Sequence, residues 1–226
     1  MAKSIGGTDR PFHHGGKIVK AIVVIISIVS VLLVVLAGCR MFSRRSGEAS
    51  IAFKGKVPGK VAVVFYSQSK VHNTALVAQW IQKNVGGELV EVIPVSPYPE
   101  PYSDTLKEAS RERKDGTTRK IQPVSLPVDC EVVFIGSPIW YGTFAPPIAT
   151  FLKGNPLAGK TVVPFCTHGG GGAGTFEQDV RAACPEANVL QGFAARGSNQ
   201  IERRLGRGVD AHHAEDDVIA WLNRIF

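Results

Sequence analysis

The sequence predicts an α/β fold, a doubly wound parallel sheet with helices on both faces, preceded by an N-terminal hydrophobic helix. Three observations carry this reading. Short β-branched apolar runs recur along residues 60–226 and alternate with segments of helical spacing. The runs are apolar throughout rather than every second residue, as strands buried on both faces are. One longer apolar stretch, Ala21–Gly38, stands apart near the N-terminus.

That stretch comes first. Ala21–Gly38 (AIVVIISIVSVLLVVLAG) is eighteen residues without a charge, close to the ~20 needed to span a bilayer. Lys17 and Lys20 precede it, and Leu36-Ala37-Gly38-Cys39 closes it. These four residues resemble a bacterial lipobox, which implies lipidation of Cys39 behind a secretory signal peptide. The rival is an uncleaved transmembrane helix, because the run exceeds the ~7–15 residues of a signal-peptide core. Six Lys/Arg follow the run closely against four before it, which weakly favours a cytoplasm-facing C-terminal side. The four-residue match at the end of the run favours the lipoprotein reading and an extracytoplasmic domain. Both readings tether the protein to a membrane through its N-terminus. Residues 1–39 are thus read as signal peptide or membrane anchor, and 40–59 as a solvated basic linker.

The elements of 60–226 follow in order. Lys60–Tyr66 (KVAVVFY) reads as a buried strand. Thr74–Val85 places Leu76, Val77, Trp80 and Ile81 at helical spacing, and Gly86-Gly87 stops it. Glu88–Val95 is a second strand, followed by an extended excursion through Pro94, Pro97, Pro99 and Pro101. Ser103 reads as the N-cap of a charged helix running to about Lys114. Glu131–Gly136 is the third strand, Ser137–Ala145 a loop, and Pro146–Leu152 a short helix opened by prolines. Lys160–Phe165 is the fourth strand, followed by a glycine loop at 167–174 and a helix from Thr175 to Ala183. Val189–Phe193 is a weaker fifth strand. Glu215–Ile225 closes the chain as an amphipathic helix.

Charge sorts the two parts of the chain. The whole carries +7, which by itself points to nucleic acid or an anionic surface. Residues 1–60 hold ten basic and two acidic residues, whereas 61–226 hold 16 basic and 17 acidic. The basicity therefore flanks the apolar run, and a nucleic-acid partner for the globular part is not expected. Cys130, Cys166 and Cys184 read as small buried hydrophobes, with a Cys166–Cys184 disulfide as the alternative for an exported domain. The pairs His13-His14 and His212-His213 have no partner ligands and read as solvated. No metal spacing, C-x-x-C or G-x-S-x-G elbow occurs.

In a parallel sheet, ligands sit outside the carboxyl ends of the strands. After strand one come Ser67, Gln68, Ser69, Lys70, Val71, His72, Asn73 and Thr74, hydroxyls and amides at a helix N-terminus. That suits a phosphate, with helix capping by Asn73 or Thr74 as the plain alternative. After strand three come Pro138, Ile139, Trp140, Tyr141, Gly142 and Thr143, whose adjacent aromatics offer a surface for a planar ligand. One ring is expected to pack under the loop, Phe144 or Trp140 rather than Tyr141. After strand four come Thr167, His168, Gly169 and Gly170 in a glycine-rich loop that lets backbone approach a ligand.

With these residues set out, residues 60–226 resemble the flavodoxin family through VVFYSQSKVHNT, VVFIGSPIWYGT, GKTVVPFCTHGGGG and the closing VIAWL helix. The resemblance implies a flavodoxin-like five-stranded sheet of order 2-1-3-4-5 that binds one FMN without a covalent bond. Carried over by motif, Ser67, Ser69, Asn73 and Thr74 would hold the FMN phosphate. Trp140 would stack on the isoalloxazine with Tyr141, Gly142 and Thr143 at its edge, and Thr167, His168, Gly169 and Gly170 would meet its pyrimidine end. One departure stands out: Lys70-Val71-His72 replace a single Gly of the family's phosphate loop, removing the residue that tolerates φ > 0. The implied activity is electron transfer with a redox partner protein. The alternatives are an FMN-dependent NAD(P)H:quinone-type oxidoreductase acting on a quinone-like small molecule, and a binding module that has lost the cofactor.

Overall fold

Lys60–Phe65 forms β1, the first of the buried strands, and its side chains alternate between two cores. Val61, Val63 and Phe65 enter one apolar cluster, and Ala62 and Val64 the other. The computed structural model describes residues 51–69, 71–199 and 214–226, within a unit spanning Ile51–Phe226. The apolar run, Cys39, the first half of the linker, Lys70 and both His pairs lie outside the described residues. Among the described residues no helix is long and apolar enough to cross a membrane.

The chain continues through α1 (Asn73–Val85), β2 (Glu88–Glu91), α2 (Tyr102–Asp115), β3 (Cys130–Trp140), β4 (Thr143–Phe144) and α3 (Pro146–Gly154). It then runs through β5 (Thr161–His168), α4 (Phe176–Ala183), β6 (Asn188–Val189), β7 (Phe193–Arg196) and α5 (Ala214–Ile225). The parallel sheet has the order β2-β1-β3-β5-β6, with β7 also on β5 and β4 pairing antiparallel with β3. The core order is therefore the expected 2-1-3-4-5. On one face lie α1, through Val77, Ala78 and Ile81, and α5, through Val218, Trp221 and Leu222. On the other lie Ala109 of α2, Ile148 and Phe151 of α3, and Phe176 and Val180 of α4.

Several elements differ from the sequence expectation, each for a local reason. The second strand stops at Glu91, because residues 93–95 pair instead with 120–122: Val95 N–H donates to Lys120 O and Gln122 N–H to Ile93 O. Helix α2 starts at Tyr102 with Pro101, not Ser103, at the N-cap, and Gly116 at φ 65 ends it. The fifth strand is split. Arg181 donates to Val189 O and Leu190 O, Trp221 Nε1 to Gln191 O, and Gly192 N–H to Glu177 Oε2. Side chains thus satisfy backbone groups that a continuous ladder would have paired.

The second half of the linker is largely exposed, as expected, but it is pinned to α5. Lys54 N–H donates to Asn223 Oδ1 at 2.8 Å, and Asn223 Nδ2 donates to Ala52 O at 3.1 Å. Phe53 and Val57 pack against the cluster under α5. The segment has no regular secondary structure, so its two apolar contacts left no period to read. Cys130, Cys166 and Cys184 are free and buried, so Cys166 and Cys184 form no disulfide.

Strands β3 and β5 both run beyond their expected ends, to Trp140 and His168. One cross-sheet row sets their spacing: Phe65 pairs with Gly136, Gly136 with Phe165, and Phe165 with Phe193. A Cβ on Gly136 would lie 2.1 Å from Phe165 Cζ, so only glycine leaves room for that ring. The extra length carries Pro138–Trp140 and Thr167–His168 out to the carboxyl edge of the sheet.

Candidate functional site

A cleft of about 760 Å³ opens at that edge, within the roughly 300–1,000 Å³ of small-molecule sites. Four strand ends converge on it: Gln68, Ser69, Val71, Asn73 and Thr74 after β1, Pro138 to Trp140 of β3, Thr167 and His168 of β5 with Gly169 after it, and Arg196 of β7 with Gly197 to Asn199 after it. Glu100, Tyr102 and Thr105 close it from the side of α2.

At the first of these ends, His72 is the N-cap residue of α1 with φ 51 and ψ 41. The left-handed conformation that a glycine would supply is thus present, adopted by a histidine. His72 N–H donates to Ser69 O at 2.8 Å and Asn73 N–H to Ser69 Oγ at 3.2 Å, which closes the longer loop into a turn. The first turn of α1 holds no acidic side chain, so the positive end of the helix dipole is not neutralised. Ser67 Oγ, just before the lining residues, is buried without a hydrogen-bond partner among the described residues. Buried hydroxyls are normally paired, so this orphaned oxygen is compatible with a polar ligand atom at the start of α1.

Contacts with Thr167 of β5 and with Ser198 after β7 join this loop to distant parts of the chain. Thr74 Oγ1 lies 2.8 Å from Thr167 Oγ1 in a buried hydroxyl pair. Asn73 Nδ2 donates to Ser198 O at 3.0 Å. At the end of β5, His168 Nδ1 accepts from Gly170 N–H at 3.1 Å and Gly172 N–H at 3.2 Å. Burial, and then the neighbouring Arg196 charge, lower the His168 pKa below the ordinary histidine value. The ring is therefore neutral at pH 7, and with Nδ1 accepting, its proton sits on Nε2.

The aromatic loop departs from expectation. Tyr141 (φ 52) and Gly142 (φ 83) are the two turn residues of a hairpin in which Trp140 pairs with Thr143. The turn is held away from the cleft lining. Arg113 Nη1 donates to Tyr141 O, Tyr141 OH to Leu106 O, Thr175 N–H to Gly142 O, and Thr143 Oγ1 to Asp179 Oδ2. Ser67, Tyr141, Gly142, Thr143 and Gly170 do not line the cleft, whereas Gln68, Ser69, Asn73, Thr74, Pro138, Ile139, Trp140, Thr167, His168 and Gly169 do. Trp140 reaches it while only 3% exposed, in near-perpendicular contact with the rings of Tyr66 at 5.8 Å and Tyr98 at 5.0 Å. It is the ring packed under the loop, and so little exposed surface gives it no open face for stacking. The exposed aromatic in the lining is Tyr102.

Sequence reasoning missed Tyr102 and Arg196–Asn199. The signal for Tyr102 was an aromatic at a helix start after a proline run. For Arg196–Asn199 it was only their place after the weak fifth strand.

A family model described as Flavodoxin matches residues 60–224. Among solved structures, a candidate flavoprotein from Bacteroides eggerthii is 28% identical with a TM-score of 0.60, the match covering 74% of this chain and 98% of that one. A candidate flavoprotein from Bacteroides uniformis is 24% identical with a TM-score of 0.59, over 73% and 97%. A flavoprotein from Lactobacillus acidophilus, crystallised with FMN, is 23% identical with a TM-score of 0.51, over 64% and 97%. No curated protein matches the chain. The order of the sheet, the cleft at its carboxyl edge and the family match over 60–224 together place this chain in the flavodoxin family.

Proposed function

We propose that the cleft holds one FMN without a covalent bond and that the protein is an electron-transfer flavoprotein tethered to a membrane. The observation that carries the cofactor is the beginning of α1: a helix N-terminus without acids, beside the unpartnered buried Ser67 hydroxyl. A phosphate monoester fits that donor set. Ser67, Ser69, Asn73 and Thr74 would hold the phosphate, and Thr167, His168 and Gly169 would meet the polar edge of the ring. His168, neutral with its proton on Nε2, is there a hydrogen-bond donor rather than a cation. Bound FMN supplies one- and two-electron redox chemistry, and the protein supplies hydrogen bonds and charge around it.

The test compares FMN with riboflavin, which lacks the phosphate. Fluorescence titration of the purified protein should give binding of FMN at least about tenfold tighter than of riboflavin, since charge-assisted bonds at the phosphate are lost. Equal affinities contradict the phosphate assignment, and no binding of either contradicts the cofactor.

The electron-transfer role supposes a redox partner protein. Reduction by dithionite in two resolved one-electron steps supports it, whereas NAD(P)H oxidation with a quinone by the purified protein replaces it with a reductase. The tether rests on Ala21–Gly38 and on Leu36-Ala37-Gly38-Cys39, read as a lipidation signal that puts the domain outside the cytoplasm. Cys39→Ser should abolish processing and lipid labelling; a variant that partitions with membranes at unchanged size contradicts the lipoprotein form.

A further inference from the structure

We infer that Arg119 is a positioning residue of the cleft, acting through Tyr98 to hold Trp140 edge-bound in the cleft wall. Arg119 is not among the residues that line the cleft, yet it is only 7% exposed and sits among charged and aromatic partners. It pairs with two carboxylates of α2, hydrogen-bonded to Glu108 through Nη2 and, from Nε at 2.8 Å, in an ion pair with Glu112 that is out of line for a hydrogen bond. Its Nη1 donates to Ser96 O at 3.0 Å. Its guanidinium carbon lies 3.8 Å from the centre of the Tyr98 ring.

Tyr98 is the link. Its hydroxyl donates to Glu112 Oε2 at 2.5 Å, and its ring meets Trp140 at 5.0 Å with the planes 89° apart. Tyr66 also meets Trp140, at 5.8 Å and 88°. Tyr66 OH donates to Gln68 Oε1 at 2.6 Å, and Gln68 lines the cleft like Trp140. An unbroken series of contacts therefore runs from Arg119 through Tyr98, Trp140 and Tyr66 to Gln68.

Stability alone does not account for a cation and two carboxylates in this place, since apolar residues of similar volume commonly serve a fold as well as a buried ion cluster. A guanidinium does give direction. Its planar fork engages two carboxylates while its face lies on a ring. Tyr98 is thereby held by a bond at its hydroxyl and a cation over its face, and its fixed ring settles where Trp140, perpendicular to it, lies. The consequence for ligand binding rests on the FMN reading above; the consequence for Trp140 does not.

The test uses the full-length protein in detergent micelles. Tyr98→Leu removes the linking ring and leaves the partners of Arg119 in place. The near-ultraviolet circular dichroism of Trp140 is taken as the signal lost in Trp140→Phe. Tyr98→Leu should lose the same signal, and its FMN dissociation constant should rise about tenfold. Tyr98→Phe keeps the ring under the cation and loses only the hydroxyl bond, so it should keep most of the signal, whereas Arg119→Met should lose it as Tyr98→Leu does; an Arg119→Met protein with the wild-type signal overturns the proposal. Adding Tyr98→Leu to Trp140→Phe should change the FMN dissociation constant no further. Independent, additive losses overturn the proposal, as does a Tyr98→Leu protein with unchanged signal and affinity. Failure of Tyr98→Leu to fold also overturns it, because the ring would then determine the fold rather than the wall. A wild type that binds no FMN contradicts the cofactor reading only, and the dichroism comparison still decides the positioning claim.

Discussion

Asn73 and Ser198 hold each other by a reciprocal pair of bonds. Asn73 Nδ2 donates to Ser198 O at 3.0 Å, and Ser198 N–H donates to Asn73 Oδ1 at 3.3 Å. One residue opens α1 and the other follows β7, so the turn after the last strand is tied to the candidate phosphate site. Asn73→Ala removes both bonds at a part-buried place and should cost about 1–3 kcal/mol. The urea midpoint should fall, and the FMN dissociation constant should rise with it. A variant with wild-type values for both contradicts this role.

His72 stands at φ 51, where an L-residue is strained. His72→Gly relieves that strain but gains chain entropy in the unfolded state, and the first term is the larger. A net stabilisation of about 0.5 kcal/mol is expected. Thermal melts of the two proteins check it, and a lower melting temperature in the variant contradicts it.

Gly136 is expected to be intolerant of any side chain. A Cβ there would meet Phe165 Cζ at 2.1 Å and Cε2 at 2.4 Å inside the sheet. Neither β3 nor β5 can shift without breaking its register with the other, so Gly136→Ala should cost about 1–3 kcal/mol. Urea unfolding measures this directly, and an unchanged midpoint would show that the ring has another place to go.

The proton balance at His168 gives a pH dependence with a definite sign. Its pKa is lowered in the fold, chiefly by burial and then by Arg196. The folded state thus binds fewer protons than the unfolded state between the lowered value and the ordinary ~6.5. Its contribution is complete above pH ~6.5 and is lost as pH falls through the folded value. Protonation of Nδ1 would also end its acceptance of the Gly170 and Gly172 N–H groups. The urea midpoint should decline below pH 6.5 more steeply in the wild type than in His168→Asn. Parallel declines contradict the assignment.

The fold was legible where one cause dominates. The β-branched runs at Lys60–Tyr66, Glu131–Gly136 and Lys160–Phe165 had to be buried strands, and their spacing by helices had to give parallel pairing. The site was legible where a strand end carries its own polar residues, as at Ser69, Asn73, Thr74 and Thr167. It was not legible where distant partners decide. Ser137–Trp140 looked like a loop because of Pro138 and Gly142, yet β5 and β4 pair with it and make it strand. Trp140 looked like a stacking surface beside Tyr141, but Tyr66 and Tyr98, far apart in sequence, enclose it. Ser198 is brought to the site by contacts with Asn73 across 125 positions. The strap at 51–59 is likewise defined by Asn223, at the opposite end of the domain.

The central claim is that the cleft at the carboxyl edge of the sheet is a flavin mononucleotide site. The visible absorption spectrum of the purified full-length protein, taken after incubation with FMN and removal of the excess, tests it most directly. The account predicts a yellow protein that retains close to one flavin per chain, with bands shifted from those of free FMN. A colourless protein with an intact far-ultraviolet dichroism spectrum would contradict it.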